Sequence, residues 1–194
     1  LLPRPASGAF FWDDADDPEY WDETIGGQLK AGQNGGVGFG PWDELLTSAS
    51  AQGGTYIVSN PPNPVKPLEG DRSWAMNGTY AMGRNLVTPV TAGTWTFLAA
   101  HYFTQSQNEG FSGFNLKSSA GDYFADGELL RFGFNYDFYN SGLCFSLNSG
   151  DDYEYFGEDY AYAAGDTLQY SVTWHGNGTY TLSVENWTQE WSYL

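Results

Sequence analysis

The chain has 194 residues, about the length of one domain and enough to bury roughly 70% of the surface its unfolded form exposes. It carries 13 Phe, 8 Trp, 14 Tyr and 25 Gly against only seven Lys and Arg, an inventory that excludes a helical bundle or coiled coil and fits pleated sheets. Its net charge of −17 repels phosphate backbones, which excludes nucleic acid as a partner, and no apolar run approaches the ~18 residues of a membrane-spanning helix, so no membrane insertion is expected.

Residues 1–35 read as an N-terminal extension, an acidic-aromatic stretch from Phe10 to Glu23 followed by a Gly-rich run. Residues 36–194 read as one β-sandwich domain, with short apolar runs separated by Gly, Asn, Asp and Pro clusters about every ten residues. Asp43-Glu44-Leu45-Leu46 is expected to start one helical turn. Weaker strands fit 55–59, 72–76, 79–84, 94–104, 111–117, 153–156 and 187–193. The strongest strand is 129–139, where Leu130, Phe132, Phe134, Tyr136 and Phe138 alternate with Arg131, Gly133, Asn135, Asp137 and Tyr139, giving one core face and one wetter face. Asn140-Ser141-Gly142 turns it into Leu143, Phe145 and Leu147 as a hairpin. A second hairpin brings Leu168, Tyr170, Val172 and Trp174 to a turn at His175-Gly176-Asn177-Gly178 and back through Tyr180, Leu182 and Val184. Strands with one apolar face must bury it against another layer, so the fold class is all-β, a two-sheet antiparallel sandwich, and at this length a jelly roll.

Gly38-Phe39-Gly40-Pro41-Trp42, Arg72-Ser73-Trp74-Ala75-Met76, Tyr80-Ala81-Met82-Gly83-Arg84, Gly93-Thr94-Trp95-Thr96-Phe97, Ala164-Gly165-Asp166-Thr167 and Gly178-Thr179-Tyr180-Thr181-Leu182-Ser183-Val184 mark successive strands and turns. In this order they resemble concanavalin A-like jelly rolls of the lectin and glucanase type, found in exported bacterial proteins with Pro-Glu-Pro sorting tails. The resemblance spans roughly 37–185. It implies an extracellular or cell-surface β-sandwich. The family's chains usually continue past the Gly-Thr-Tyr strand into more strands and the sorting tail, whereas this sequence stops at Trp191-Ser192-Tyr193-Leu194, and its lack of an initiator Met suggests a processed or partial chain. Glucanases of this fold place carboxylates at Glu-x-Asp-x-x-Glu spacing on one strand, and this chain lacks that pattern. It also lacks Gly-x-Ser-x-Gly and His-Glu-x-x-His, so no enzyme is expected. His101 and His175 read as hydrogen-bonded or exposed imidazoles, and the single cysteine, Cys144, as a small filler.

Seven acids lie in 11–23 and ten in 122–166. Hard oxygens at near-alternate positions suit Ca²⁺, and Asp14, Asp16, Asp151, Asp152 and Glu154 are the candidate ligands, the alternative being a solvated anionic surface. Trp12, Trp21, Trp42, Trp187 and Trp191 fall outside the cleanest alternating runs. Their flat rings suit stacking on a polysaccharide, contact between subunits, or core. Asn-x-Ser/Thr sequons make Asn77, Asn177 and Asn186 glycosylation candidates. Both ends are apolar, Leu1-Leu2 and Trp191-Ser192-Tyr193-Leu194, which suits strand donation to a second copy. The functional expectation is a noncatalytic structural subunit that self-associates into a filament, surface layer or matrix. The alternatives are a lectin-like carbohydrate-binding module and, third, a glycoside hydrolase.

Overall fold

The computed structural model describes residues 11–20, 31–47, 54–59, 72–77, 80–101, 110–118, 127–136, 142–147, 154–156 and 162–193. These form one 3₁₀ turn, Pro18–Tyr20, and twelve strands: β1 (Phe39–Thr47), β2 (Gly54–Ser59), β3 (Arg72–Asn77), β4 (Tyr80–Leu86), β5 (Gly93–Ala99), β6 (Gly110–Lys117), β7 (Glu128–Tyr136), β8 (Gly142–Leu147), β9 (Glu154–Tyr155), β10 (Leu168–Trp174), β11 (Tyr180–Asn186) and β12 (Trp191–Tyr193). Every strand pairing is antiparallel, so the all-β expectation holds. Among the described residues no helix is long and apolar enough to cross a membrane. The chain divides into two compact units, 1–90 and 91–194.

In the first unit β1 pairs with β4 and β2 with β3. Asp43–Leu46, expected to begin a helical turn, lies instead in β1, paired at Asp43↔Gly83, Glu44↔Met82 and Leu46↔Ala81. Ladder hydrogen bonds to β4 override a weak local preference, and two register shifts absorb the misfit. Buried Ala15 and Tyr20 form a small core with Trp42, Trp74 and Met82 around them. The rings meet edge to face, Tyr20 on Trp74 at 5.6 Å and Trp42 on Trp74 at 5.7 Å.

The second unit holds two four-stranded sheets, in the orders β12-β11-β10-β5 and β6-β7-β8-β9. One apolar core joins them. Leu168, Tyr170, Val172 and Val184 come from the first sheet and Leu130, Phe132 and Leu143 from the second, with Phe156 at the end of β9. Aromatic rings bridge the sheets, Phe97 to Phe114 at 4.6 Å and Phe132 to Tyr170 at 5.3 Å. Each fully buried side chain of this size contributes about 1.5–3 kcal/mol from apolar burial.

The expected alternation holds along β10, but the other face of β7 is not wet. Arg131 and Gly133 are buried there, as are Cys144 and Ser146 across the ladder on β8. Arg131 is admitted because its guanidinium donates to Glu128 Oε2, at 2.9 Å from Nη2 and 3.2 Å from Nε. Gly133, at φ 155°, stands against Gly113, and a methyl group on it would lie 2.3 Å from the Ser112 carbonyl oxygen. Only glycine allows that approach. The last strand is shorter than expected, since 187–190 is a turn and only Trp191–Tyr193 pairs, with β11 of its own chain.

Candidate functional site

The β11–β12 hairpin carries a shallow cavity, wide open to solvent, lined among the described residues by Glu185, Asn186, Trp187, Glu190 and Ser192. Its base is built by Asn186, the last residue of β11, which is 1% exposed. The Asn186 Oδ1 accepts the backbone N–H groups of Thr188 at 2.9 Å and Gln189 at 3.0 Å, which closes the turn. Its Nδ2 donates to Asp166 Oδ2 at 2.9 Å, an oxygen that also accepts the Ala163 N–H at 2.9 Å and the Gln189 amide. Two further bonds tie the turn to the segment before β10, Trp187 N–H to the Thr167 carbonyl and Thr167 N–H to Thr188 Oγ1, each 2.9 Å.

This scaffold leaves Trp187 outside it. The indole is 47% exposed, and its N–H points to Glu185 Oε2 at 3.4 Å. Glu190 closes the turn at φ 58°, a left-handed conformation that non-glycine residues adopt at some cost, and Ser192 faces Glu185 across the ladder. The arrangement presents a flat aromatic face beside carboxylate and hydroxyl oxygens. It can stack on a ring and accept hydrogen bonds from it.

The other sequence candidates fall in different settings. Trp12 is exposed and pairs with Val37 through an isolated bridge, Trp12 N–H to Val37 O at 3.1 Å and Val37 N–H to Trp12 O at 2.7 Å. Trp42 is half-buried, donating from Nε1 to the Tyr20 hydroxyl at 3.1 Å. Trp21, Asp151 and Asp152 lie outside the described residues. Trp191 pairs by backbone register with Asn186, so two of the five tryptophans share one hairpin. Asp14 accepts the Asp16 N–H at 2.9 Å, and Glu154 is exposed on β9. Burial raises the Asp14 pKa, with hydrogen bonds from the Asp16 and Asp17 backbone pulling it down and the neighbouring Asp16 and Asp17 charges pushing it up. Among the described residues, no group of three His, Cys, Asp or Glu side chains is placed to hold a metal ion. Asn77 ends β3, Asn177 is exposed in the β10–β11 turn, and Asn186 has its amide nitrogen buried on Asp166.

Besides the Arg131–Glu128 pair, two further buried polar groupings among the described residues have partners that the sequence did not signal. In the first unit Asp13 and Arg84 form an ion pair, with side chains only 7% and 5% exposed. The Tyr20 hydroxyl donates to both Asp13 oxygens, at 2.8 and 2.9 Å, and Arg84 also donates to the carbonyls of Gly35 at 2.9 Å and Gly40 at 2.7 Å. The guanidinium lies 4.6 Å above the Phe39 ring and 5.0 Å above Trp42. Burial raises the Asp13 pKa to about 6, against the pull of Tyr20 and Arg84, and pushes the Tyr20 phenol up as well. In the second unit His101, buried, stands between Ser112 Oγ and the Tyr170 hydroxyl, each 3.0 Å from a ring nitrogen. Burial lowers its pKa to about 3. Burial likewise pushes the Cys144 thiol up to about 12, leaving it a protonated filler.

Glu185, Glu190 and Ser192 were also missed. The one signal for them was the run Asn-Trp-Thr-Gln-Glu directly after an alternating strand, where a turn must lift one large ring into solvent. Compared with protein-family models, with curated proteins and with solved structures, the chain matches none.

Proposed function

We propose that this chain is an exported, noncatalytic β-sandwich module that binds a saccharide ring against Trp187. The observation that carries the reading is the exposed indole rimmed by Glu185, Glu190 and Ser192 in one cavity. Sugars offer an apolar ring face and a girdle of hydroxyl donors, and an aromatic plane beside oxygen acceptors answers both. The reading extends to a concanavalin A-like jelly roll, supported by the two four-stranded sheets over one core. It treats the module as noncatalytic because the sequence lacks the Glu-x-Asp-x-x-Glu strand pattern of glucanases. Affinity electrophoresis through gels holding a panel of neutral, acidic and amino polysaccharides tests it. Retardation by at least one, abolished in Trp187→Ala, is expected. Free migration through all of them, or equal retardation of the variant, overturns the reading.

Self-association has one observation in its favour, the exposed side chains of Trp12 and Val37 on their shared bridge. Two exposed apolar groups side by side suit contact with a second copy. Light scattering across a concentration series decides this reading. Assembly lost in Trp12→Ser supports it, and a monomer at every concentration removes it.

A further inference from the structure

Among the described residues, the charged groups lining the Trp187 cavity are the carboxylates Glu185 and Glu190. Asn186, the one amide there, has both its polar atoms committed, Oδ1 to two backbone N–H groups and Nδ2 to Asp166. The Trp187 indole N–H is already directed at Glu185. Its described lining therefore offers a ligand two carboxylates, one of them also accepting the Trp187 N–H, a hydroxyl and a half-exposed indole. That set asks for a ligand rich in donors and positive in charge. A hydroxyl brings one donor, whereas an ammonium brings three together with a charge that the indole face attracts.

Resting on the saccharide-binding reading, we propose that the ligand class is an amino sugar bearing protonated amines, as in de-N-acetylated chitosan oligomers. Glu185 and Glu190 receive the ammonium while the pyranose face lies on Trp187. Uronic acid polymers are rejected, since their carboxylates would meet two like charges and the field of a chain with net charge −17. An ammonium received by two exposed carboxylates supports a preference of about tenfold over a neutral sugar of the same size.

The experiment titrates the full chain, at mildly acidic pH and fixed salt, with glucosamine, N-acetylglucosamine, glucose and uronic acid hexamers, following tryptophan fluorescence and heat. The parent is expected to bind the glucosamine hexamer about tenfold tighter than the glucose hexamer and the uronic acid hexamer weakest. In Glu185→Gln/Glu190→Gln the ratio of the two affinities should fall toward one, with circular dichroism confirming an intact fold. Trp187→Ala keeps the net charge unchanged and should lose glucosamine binding, which separates the cavity from attraction to an acidic surface in general. Equal or tighter binding of the neutral or acetylated hexamer through Trp187 overturns the amino-sugar assignment and leaves the saccharide-binding reading standing. Retention of glucosamine binding by Trp187→Ala, or of the full preference by the double variant, also overturns the assignment. Binding of no hexamer at all overturns both.

Discussion

The Asp13 centre of the first unit and the His101 centre of the second meet the cost of burying polar groups in opposite ways. The first keeps charges, Asp13 on Arg84, and surrounds them with Tyr20, two backbone carbonyls and two aromatic faces. The second keeps a neutral imidazole, His101, between a serine and a tyrosine hydroxyl, while the charged pair of that unit, Arg131 and Glu128, lies elsewhere on β7. A buried charge is tolerable only while its partner stands, whereas a neutral ring loses one hydrogen bond at a time. The Asp13 centre is therefore brittle toward single substitutions, as the Arg131–Glu128 pair is, whereas the His101 centre is graded.

The sharpest way to break this contrast is Arg84→Met, which strands a buried carboxylate and should cost about 3–5 kcal/mol. Hydrogen exchange resolved to peptides should place the loss in 11–20 and β4, and loss of less than ~1 kcal/mol would contradict a charged staple. Tyr170→Phe should cost about 1–2 kcal/mol, because only the hydroxyl bonded to the imidazole is removed from a ring that stays in the core. Exchange in β10 and β5 peptides reads that smaller effect.

Acidification separates the two centres by sign. His101 has a folded pKa near 3 against an ordinary 6.5, so its contribution is complete above 6.5 and is lost as pH falls toward 3. Asp13 has a folded pKa near 6 against 3.8, so the folded state holds its proton more tightly, and stability contributed by that proton is lost as pH rises from 3.8 through 6. Lowering the pH across this window should protect 11–20 while loosening the strands around His101. A parallel drift of both units would contradict the opposite shifts. The smallest expected effect on stability is Trp187→Ala, within about 0.5 kcal/mol, because its side chain stands outside the turn that Asn186 holds. A melting curve superimposable on the parent's, together with lost saccharide retention, is the expected pair of results.

Much of the sheet structure is legible in the sequence because strand alternation has a period of two and needs no distant partner to be seen. β10 and β11 follow their patterns, β7 forms where its alternation places it but is covered on both faces, and the His175-Gly176-Asn177-Gly178 turn forms with positive φ at Gly176 and Gly178. Asp43–Leu46 misled because its preference is local and its pairing with β4 is not. The site was legible only as a set of tryptophans. Only the Asn-Trp-Thr-Gln-Glu turn after β11 hints that Trp187, lifted clear of its strand by a buried asparagine, differs from Trp42, half-buried beside Tyr20.

The amino-acid order by itself determined the β class, the apolar faces of β10 and β11 and the excess of acid. Tertiary structure alone decided which acid is neutralised, which face of β7 is covered and which indole meets solvent. The physical reason is reach. Periodicity reports which side chains share a face, but the pairing of Asp13 with Arg84, 71 positions apart, and the seating of Asn186 on Asp166 exist only once remote segments have been brought within hydrogen-bond distance.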